Sequence, residues 1–230
     1  PSMVRVVLGG EGLDGFEPTP FTDQYVNALF IPDGAPYSVP FDVDAVRAGE
    51  REHRPNGRRY TIRRWDPAER RITIDFVVHG DVGFAGRWAN HATGGDRLQI
   101  AGPAGGYAPS TTADWHLMVG DESALPAIAA ACERVPAGVP VVAVLEVADA
   151  AEEQELACPG ALRVSWLHRR ASEPEQLLEA VRALEFAPGR VHAFVHGEAG
   201  IVRGVRRHLV DEREVPRELL SVSGYWRRGV

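Results

Sequence analysis

The sequence predicts two domains of different class, a small antiparallel β-barrel over residues 1–110 and a doubly wound, parallel-sheet α/β domain over residues 111–230. The first part consists of short alternating runs separated by Gly and Pro, which is typical of small barrels. The second part alternates apolar runs with segments of helical spacing, which predicts βαβ units. The change of pattern near residues 108–114 sets the predicted boundary.

The first domain is predicted to contain mainly strands. An Asp-Pro turn joins the third and fourth of them, and one short helix is predicted to begin near Gly86 and to carry "RWANHA". The predicted strands are "MVRVVLGG", "FTDQYVNALF", "RRYTIRRW", "RITIDFVVH" and "DRLQIAGPAGGY".

The second domain is predicted to alternate five strands with helices. Its second strand, "PVVAVLEVA", is almost entirely apolar, as expected in a parallel sheet that is covered on both faces. The other strands are "WHLMVGD", "LRVSWLHR", "VHAFVHGE" and "ELLSVSGYW". The helices are "ESALPAIAAACERV", "EPEQLLEAVRAL" and "AGIVRGVRRHLVDER".

Composition excludes several classes of function. The net charge of −7 and the pI near 5.6 argue against nonspecific nucleic-acid binding. No apolar run is long enough to span a membrane and no signal peptide is apparent, so a cytoplasmic protein is expected. All 25 basic residues are arginine, which excludes chemistry on a lysine. The eight histidines and two cysteines show no metal-ligand spacing, so no protein-bound metal is expected.

The barrel half contains two candidate ligand sites. Arg58 and Tyr60 are two residues apart on a strand and share a face, so they could meet a phosphate and a flat ring of one ligand. The alternative is a surface strand whose tyrosine packs on the core. Gly80, Gly83 and Gly86 precede a helix whose amides could bind phosphate, or they form an ordinary glycine-rich loop.

The α/β half has candidates at the carboxyl ends of its strands, where such sheets bind nucleotides. Asp121, Glu122 and Ser123 follow the first strand in place of a Gly-x-Gly-x-x-Gly loop. These acidic groups would repel a pyrophosphate, and the alternative is an acidic helix N-cap without a ligand. Gly197 and Glu198 end the fourth strand in the same way.

A cationic loop follows the third strand of this half. His168, Arg169 and Arg170 could lie near the ribose or the 2′-phosphate of a dinucleotide. The alternative is a solvated cationic loop.

Taken together and in order, seven motifs resemble the siderophore-interacting protein family. They are "GRRYTIRRWDP", "TIDFVVHGDVGFAGRWA", "GPAGGY", "DWHLMVGDESALPAI", "HAFVHGE", "VRRHLVDER" and "SGYWRRG". The members are flavin-dependent ferric-siderophore reductases, related in fold to ferredoxin–NADP reductases. The resemblance implies an FAD-binding, six-stranded antiparallel β-barrel and an NAD(P)H-binding α/β domain. The family usually has one more strand before "SMVRVV", so an open barrel edge is expected here.

The resemblance also implies roles for individual residues. Tyr60 would stack on the flavin, Thr61 would hydrogen-bond near its reactive nitrogen, and Trp226 would cover the opposite ring face; these three are the catalytic candidates. Arg58 would meet the flavin phosphates. The remaining cofactor-binding candidates are His79, Gly80, Ala85, Gly86, Arg87, Trp88, Asp121, Glu122, Ser123, Ala124, Arg169, Gly197 and Glu198.

The implied reaction passes electrons from NADH or NADPH through FAD to the iron of a ferric siderophore, with ferredoxin as an alternative donor. An anionic siderophore needs local cations, and the candidates are Arg51, Arg54, Arg227 and Arg228, each of which could also be an ordinary surface arginine. Arg169 and Arg170 favour NADPH, since they could pair with its 2′-phosphate. The protein is expected to be a monomer. The alternatives are a general flavin reductase and a siderophore-binding protein without a working cofactor.

Overall fold

The computed structural model describes residues 3–78 and 83–229, and these form two compact units. The N-terminal unit comprises residues 3–19 and 24–105, and the C-terminal unit comprises residues 106–229 together with residues 20–23. The second unit therefore includes a short segment from the first part of the sequence.

The N-terminal unit is built on an antiparallel sheet of five strands. They are β1 (Met3–Leu8), β2 (Tyr25–Phe30), β3 (Asn56–Asp66), β4 (Arg71–Val77) and β5 (Gln99–Ala104). The order is β1-β4-β3-β2-β5, which leaves β1 and β5 at the edges. A six-stranded barrel was predicted, but the described residues form five strands. The antiparallel β architecture of this half is as predicted.

The turn between β3 and β4 follows from its sequence. The carboxylate of Asp66 accepts hydrogen bonds from the backbone N–H groups of Ala68 and Glu69, both at 3.1 Å. Asp is suited to this role because its short side chain can reach the backbone two residues on. Arg70 closes the turn with a φ of 51°.

The core of the N-terminal unit lies on one face of this sheet. Alternate residues of β4, Ile72, Ile74 and Phe76, are fully buried there. Helix α2 (Phe84–His91) adds Ala85 and Ala89 to the same cluster. A second helix, α1 (Val43–Ala48), was not predicted.

The C-terminal unit is a parallel sheet of five strands, as predicted. They are β6 (Trp115–Asp121), β7 (Pro140–Val147), β8 (Ala161–His168), β9 (Val191–Glu198) and β10 (Leu220–Trp226). The order β10-β9-β6-β7-β8 reverses direction at β6, so the switch point of this doubly wound sheet lies between β6 and β9. Ligands of such sheets bind at the carboxyl ends of the strands beside that point.

Helices cover both faces of the parallel sheet. Helices α4 (Gln176–Arg182) and α5 (Ala199–Arg207) share a hydrophobic cluster with Val119 and Val195. Helix α3 (Leu125–Cys132) packs on the other face, against Gly120, where a Cβ atom would lie 2.7 Å from the Cβ of Ala124. Only glycine permits this close approach of helix and strand.

Two further features complete the C-terminal unit. Residues 148–160, all of which the structure describes, connect β7 to β8 through a 3-10 turn (Ala150–Glu152) and no α-helix. Thr22 is tied to Tyr107 by a backbone hydrogen bond of 2.7 Å and a side-chain hydrogen bond of 3.1 Å. Within residues 3–78 and 83–229, no helix combines the length and hydropathy needed to cross a bilayer.

Candidate functional site

Arg58 and Tyr60 lie on one face of β3, opposite Ala28 and Val26 of β2. The Arg58 side chain is exposed, and its guanidinium donates a hydrogen bond of 2.9 Å to the carbonyl of the neighbouring Gly57. That local contact leaves most of its five donors directed to solvent. Arg58 is therefore placed on the surface, where it can meet a ligand.

The Tyr60 ring is half-buried against the core. Its centroid lies 4.3 Å from that of Phe76, with the rings tilted by 45°. Burial raises the pKa of Tyr60 to about 12, and the charge of Arg58 opposes the shift. The phenol thus stays neutral at physiological pH and presents a fixed aromatic surface. Thr61 lies on the other face of β3 and is buried.

Helix α2 begins without a side-chain cap. Its N-cap, Gly83, has a φ of 79° and no side chain that could accept a hydrogen bond, so the N-cap residue itself does not occupy the first helical N–H groups. Gly86 is buried against the backbone of Val78. The predicted residues His79 and Gly80 lie outside the described residues.

The other predicted residues of α2 take structural positions. Trp88 packs its ring against Phe30 and Phe76, at centroid distances of 6.0 and 5.8 Å, so its side chain belongs to the core. Arg87 is exposed and lies 3.5 Å from the carboxylate of Asp33. Trp88 is only partly buried, so part of its ring still faces outward.

Arg51 and Arg54 lie on an exposed segment that also carries acidic residues. Arg54 donates a hydrogen bond of 3.2 Å to the carbonyl of Gly49. Glu50 and Glu52 flank Arg51, and their carboxylates approach His53 within 4.8 Å. The local charge is close to balanced, so this segment is less cationic than the arginines alone suggest.

In the C-terminal unit, the carboxylate of Asp121 is the centre of the β6–β9 switch point. Oδ1 accepts hydrogen bonds from the backbone N–H and the hydroxyl of Ser123, at 2.9 and 2.5 Å. Oδ2 accepts from the N–H of Glu198 and from the indole N–H of Trp226, both at 2.8 Å. Burial raises the pKa of Asp121, and the hydrogen bonds from Ser123 and Trp226 oppose this shift.

The conformation of the neighbouring loops follows from this arrangement. Gly197 has a φ of 141°, and a Cβ atom there would lie 2.6 Å from Oδ2 of Asp121. The N-cap of α3 is Ala124, without a side-chain hydrogen bond, so neither Asp121 nor Glu122 is the N-cap of this helix. Asp121, at the end of β6, and Glu122, just after it, instead bind residues at the ends of neighbouring strands.

Arg169 is held by two carboxylates. Its two terminal nitrogens bind both oxygens of Glu122, at 2.8 and 2.5 Å, and its Nε binds Glu146 at 2.9 Å. Burial alone would lower the pKa of Arg169, but the two carboxylates raise it above its ordinary value. Glu122 and Glu146 are themselves buried. The predicted ribose or 2′-phosphate contact therefore competes with internal ion pairs.

Glu198, at the end of β9, is the centre of a second set of contacts. The carboxylate of Glu198 caps α5 by accepting from Gly200 and Ile201, at 2.7 and 2.9 Å, and it also accepts from the N–H of Arg228 at 3.2 Å. Partial burial acts to raise the pKa of Glu198, but these hydrogen bonds lower it overall. Trp226 is 39% exposed and Arg227 is exposed.

A row of aromatic side chains on β9, two of them buried, was not predicted. His192, Phe194 and His196 alternate on one face, and Tyr107 packs against the first two at 4.8 Å each. Burial lowers the pKa of His196 to about 3. The His-x-Phe-x-His spacing was visible in the sequence, but it resembles an ordinary apolar strand.

Two family models match the chain and together cover almost all of it. The model described as "Siderophore-interacting FAD-binding domain" matches residues 1–107. The model described as "Siderophore-interacting protein" matches residues 113–229. The two matches meet close to the boundary between the two compact units.

Curated relatives are similar over nearly the whole chain. The protein Rv2895c of Mycobacterium tuberculosis is 42% identical over 244 residues, covering 100% of this chain and 86% of the relative. Ferric vibriobactin reductase ViuB of Vibrio cholerae is 33% identical, covering 99% and 85%. The NADPH-dependent ferric-chelate reductase of Escherichia coli is 31% identical, covering 96% and 86%.

Solved structures show the same fold. The siderophore-interacting protein SipS from Aeromonas hydrophila superposes with a TM-score of 0.84 at 31% identity, covering 100% of this chain and 87% of that one. A siderophore utilization protein from T. fusca gives 0.82 at 40% identity, covering 100% and 88%. Ferredoxin-NADP+ reductase from Plasmodium falciparum gives 0.65 at 11% identity, covering 97% and 89%, a likeness of fold alone.

Proposed function

Because the chain belongs to the siderophore-interacting protein family, we propose that it is an FAD-dependent ferric-siderophore reductase. Electrons from a reduced nicotinamide, or from ferredoxin, pass through FAD to siderophore-bound Fe(III), and iron leaves as Fe(II). The observation that carries the proposal is the pair on β3, an exposed Arg58 and a half-buried Tyr60 on one face. Their side chains combine a phosphate partner and a ring platform two residues apart.

The residues of the N-terminal unit fit FAD. Arg58 offers a fork of N–H donors that suits phosphate, and the uncapped first turn of α2 offers backbone N–H groups. Tyr60 offers a neutral aromatic surface that Phe76 holds in place. When bound, FAD accepts two electrons and releases them one at a time, which reduction of ferric iron requires.

Release of iron follows from the ligand preferences of its two oxidation states. Hard anionic oxygen ligands hold Fe(III) tightly and Fe(II) less tightly, so reduction loosens the complex. The protein needs only to bind and orient the siderophore. Arg51, Arg54, Arg227 and Arg228 are the proposed contacts, because all four are exposed cations.

The family resemblance also implies features of the barrel and of the cofactor contacts, which we include in the proposal. The family implies a sixth strand that closes the barrel, and it implies that Trp226 covers the flavin ring. Thr61 and Ala124 are likewise proposed cofactor contacts. These assignments depend on a bound flavin, and its binding is the first measurement to make.

Two measurements test the proposed function. The purified protein is expected to show the absorption bands of a flavin near 450 nm, which a protein without a working cofactor would lack. After chemical reduction under anaerobic conditions, the protein is mixed with a ferric siderophore and a ferrous-specific chelator. Formation of the ferrous chelate together with reoxidation of the flavin supports the proposal. A colourless protein, or a reduced protein that leaves the siderophore ferric, refutes it.

Tyr60→Ala is expected to weaken FAD binding on the order of thirtyfold, because stacking on an aromatic side chain contributes about 1–3 kcal/mol per base. Tyr60→Phe is the matched control and keeps the ring. The dissociation constant is measured by titrating the apoprotein with FAD. Equal affinities for the Ala and Phe variants would show that Tyr60 serves only the core.

A general flavin reductase is the second candidate, and the acidic surroundings of Arg51 and Arg54 favour it. Glu50 and Glu52 compete for the cations that an anionic siderophore needs. Arg54→Glu separates the two candidates, since it should weaken siderophore binding without loss of the flavin. A general reductase would reduce soluble dyes but show no tight siderophore binding with either residue at position 54.

A further inference from the structure

Three basic side chains follow one another at the end of β8, and each lies beside a protein carboxylate. His168 Nε2 lies 2.8 Å from Glu153, and Arg170 lies 3.2 Å from Glu173. Arg169 is engaged through all three guanidinium nitrogens, by the carboxylates described above. The loop is rich in cations by sequence, but its charge is neutralised locally.

The pairing of Arg169 is difficult to exchange. Glu122 and Glu146 are 5% and 7% exposed. Withdrawal of the guanidinium toward a ligand would leave two buried carboxylates side by side, which is strongly unfavourable. A 2′-phosphate would have to displace both of them, and it carries more charge than either.

An open cavity of about 640 Å³ adjoins this loop. Its walls include Trp166, whose ring could contact a nucleotide base, and Arg170. Three carboxylates, those of Glu173, Glu175 and Glu179, also line it. Arg170 is the one arginine among the lining residues, and Glu173 already pairs with it. The cavity therefore repels a phosphate dianion.

The end of β7 suits an unphosphorylated ribose instead. In doubly wound sheets, an acidic residue after the second strand accepts hydrogen bonds from the ribose hydroxyls of NAD, about 20 residues beyond the first strand's loop. Glu146 occupies this place, as the penultimate residue of β7. Its oxygens accept from Arg169 and Gln176, each at 2.9 Å, and a carboxylate has about four acceptor positions in all.

We propose that this chain accepts NADH and discriminates against NADPH, because Glu122, Glu146 and the carboxylates around the cavity withhold the cations that a 2′-phosphate needs. The inference rests on the proposed function and specifies its electron donor. Two electrons and one proton pass as a hydride from NADH to bound FAD, leaving NAD⁺. The discrimination concerns the ribose 2′ position, which takes no part in that transfer.

Two readouts test the discrimination. Calorimetry compares the binding of ADP-ribose with that of 2′-phospho-ADP-ribose, without any reaction. Anaerobic stopped-flow absorbance compares flavin reduction by NADH and by NADPH. We expect at least a tenfold preference for the unphosphorylated nucleotide in both measurements. Equal preference, or a preference for the phosphorylated nucleotide, overturns the inference.

Variants test the cause. Glu173→Gln combined with Glu175→Gln removes two exposed carboxylates and should lower the preference about threefold. Glu218→Gln is the matched control, because it makes the same change at an exposed position near the amino end of β10 and should leave the preference unchanged. An unchanged preference in the double variant overturns the electrostatic explanation.

Different results would contradict the nucleotide preference and the reductase function. If neither nucleotide reduces the flavin, but the chemically reduced protein still reduces a ferric siderophore, the inference is overturned and the reductase function stands. If the chemically reduced protein does not reduce a ferric siderophore, the proposed function fails, and the calorimetric comparison still decides the nucleotide preference on its own.

Discussion

Arg58 in the N-terminal unit and Arg169 in the C-terminal unit were both predicted to meet phosphate groups, but their surroundings differ. Arg58 is exposed, with a hydrogen bond to the adjacent carbonyl, whereas Arg169 is held by two buried carboxylates. The first arrangement leaves most of the guanidinium exposed to solvent, and the second uses a guanidinium to join strand ends. Residue type and position along a strand are therefore insufficient to identify a ligand contact, since the partners of the side chain decide its role.

The largest expected effect tests this contrast directly. Arg169→Met should lower the free energy of unfolding by about 4 kcal/mol, because it leaves two buried carboxylates without their cation. Arg58→Met should change it by less than about 0.5 kcal/mol, as is usual for exposed positions. Urea unfolding of the two apoproteins measures both values.

For FAD affinity the order should be reversed, with the larger loss in Arg58→Met than in Arg169→Met. Arg58→Met is expected to weaken FAD binding about tenfold, through loss of a charge-assisted hydrogen bond. If Arg169→Met proved as stable as the wild type, the ion pairs of Arg169 would contribute nothing to stability. Arg169 would then not differ from Arg58 in its structural role.

The buried histidines predict a pH dependence that belongs to the C-terminal unit. Burial lowers the pKa of His116 to about 4 and that of His196 to about 3. The unfolded chain binds these protons near pH 6.5, so stability falls as the pH decreases below that value. Two such groups should lower the free energy of unfolding by about 3 kcal/mol between pH 7.5 and 5.5.

Urea unfolding at the two pH values measures this difference. His116→Met should remove about half of it. A protein equally stable at both values would show that the buried rings are protonated in the folded state.

Gly197→Ala should cost about 2 kcal/mol, because its φ of 141° is accessible almost exclusively to glycine and a Cβ would contact Asp121. Gly94→Ala in the N-terminal unit is the matched control, since a Cβ there meets nothing within 4 Å. Thermal unfolding compares the two. Equal melting temperatures would mean that the loop after β9 relaxes without loss.

The smallest effect concerns the indole of Trp226. Trp226→Phe should lower the free energy of unfolding by about 1 kcal/mol through loss of one hydrogen bond to Asp121. A double-mutant cycle with Asp121→Asn isolates this interaction. A coupling energy near zero would show that the indole N–H is solvated equally well without Asp121.

The sequence predicted the parallel sheet well because its information is local. "PVVAVLEVA" and "VHAFVHGE" are apolar runs bounded by turns, and both form strands at the sheet centre. Helix α1 was missed because it has six residues and none of them is buried, so it carries no hydrophobic periodicity. Its stability comes instead from the Asp42 cap, a single side chain.

The candidate site was only partly predictable, for a different reason. The shared face of Arg58 and Tyr60 follows from strand alternation, which the sequence contains. The partners of Arg169 are 47 and 23 residues away along the chain, and only the strand order brings them together. The packing of Trp88, a predicted cofactor contact, against Phe30 and Phe76 could not be predicted either, because their proximity depends on the same long-range pairing.

The segment 20–23, which belongs to the C-terminal unit, has a consequence for synthesis. Thr22 leaves the ribosome 85 residues before Tyr107, its hydrogen-bonding partner. Nearly the whole N-terminal unit is therefore synthesised between Thr22 and Tyr107. Its folding begins before the hydrogen bonds between these two residues can form. A gene cut at the apparent domain boundary would leave residues 20–23 on the N-terminal fragment, so the C-terminal fragment would lack part of its own unit.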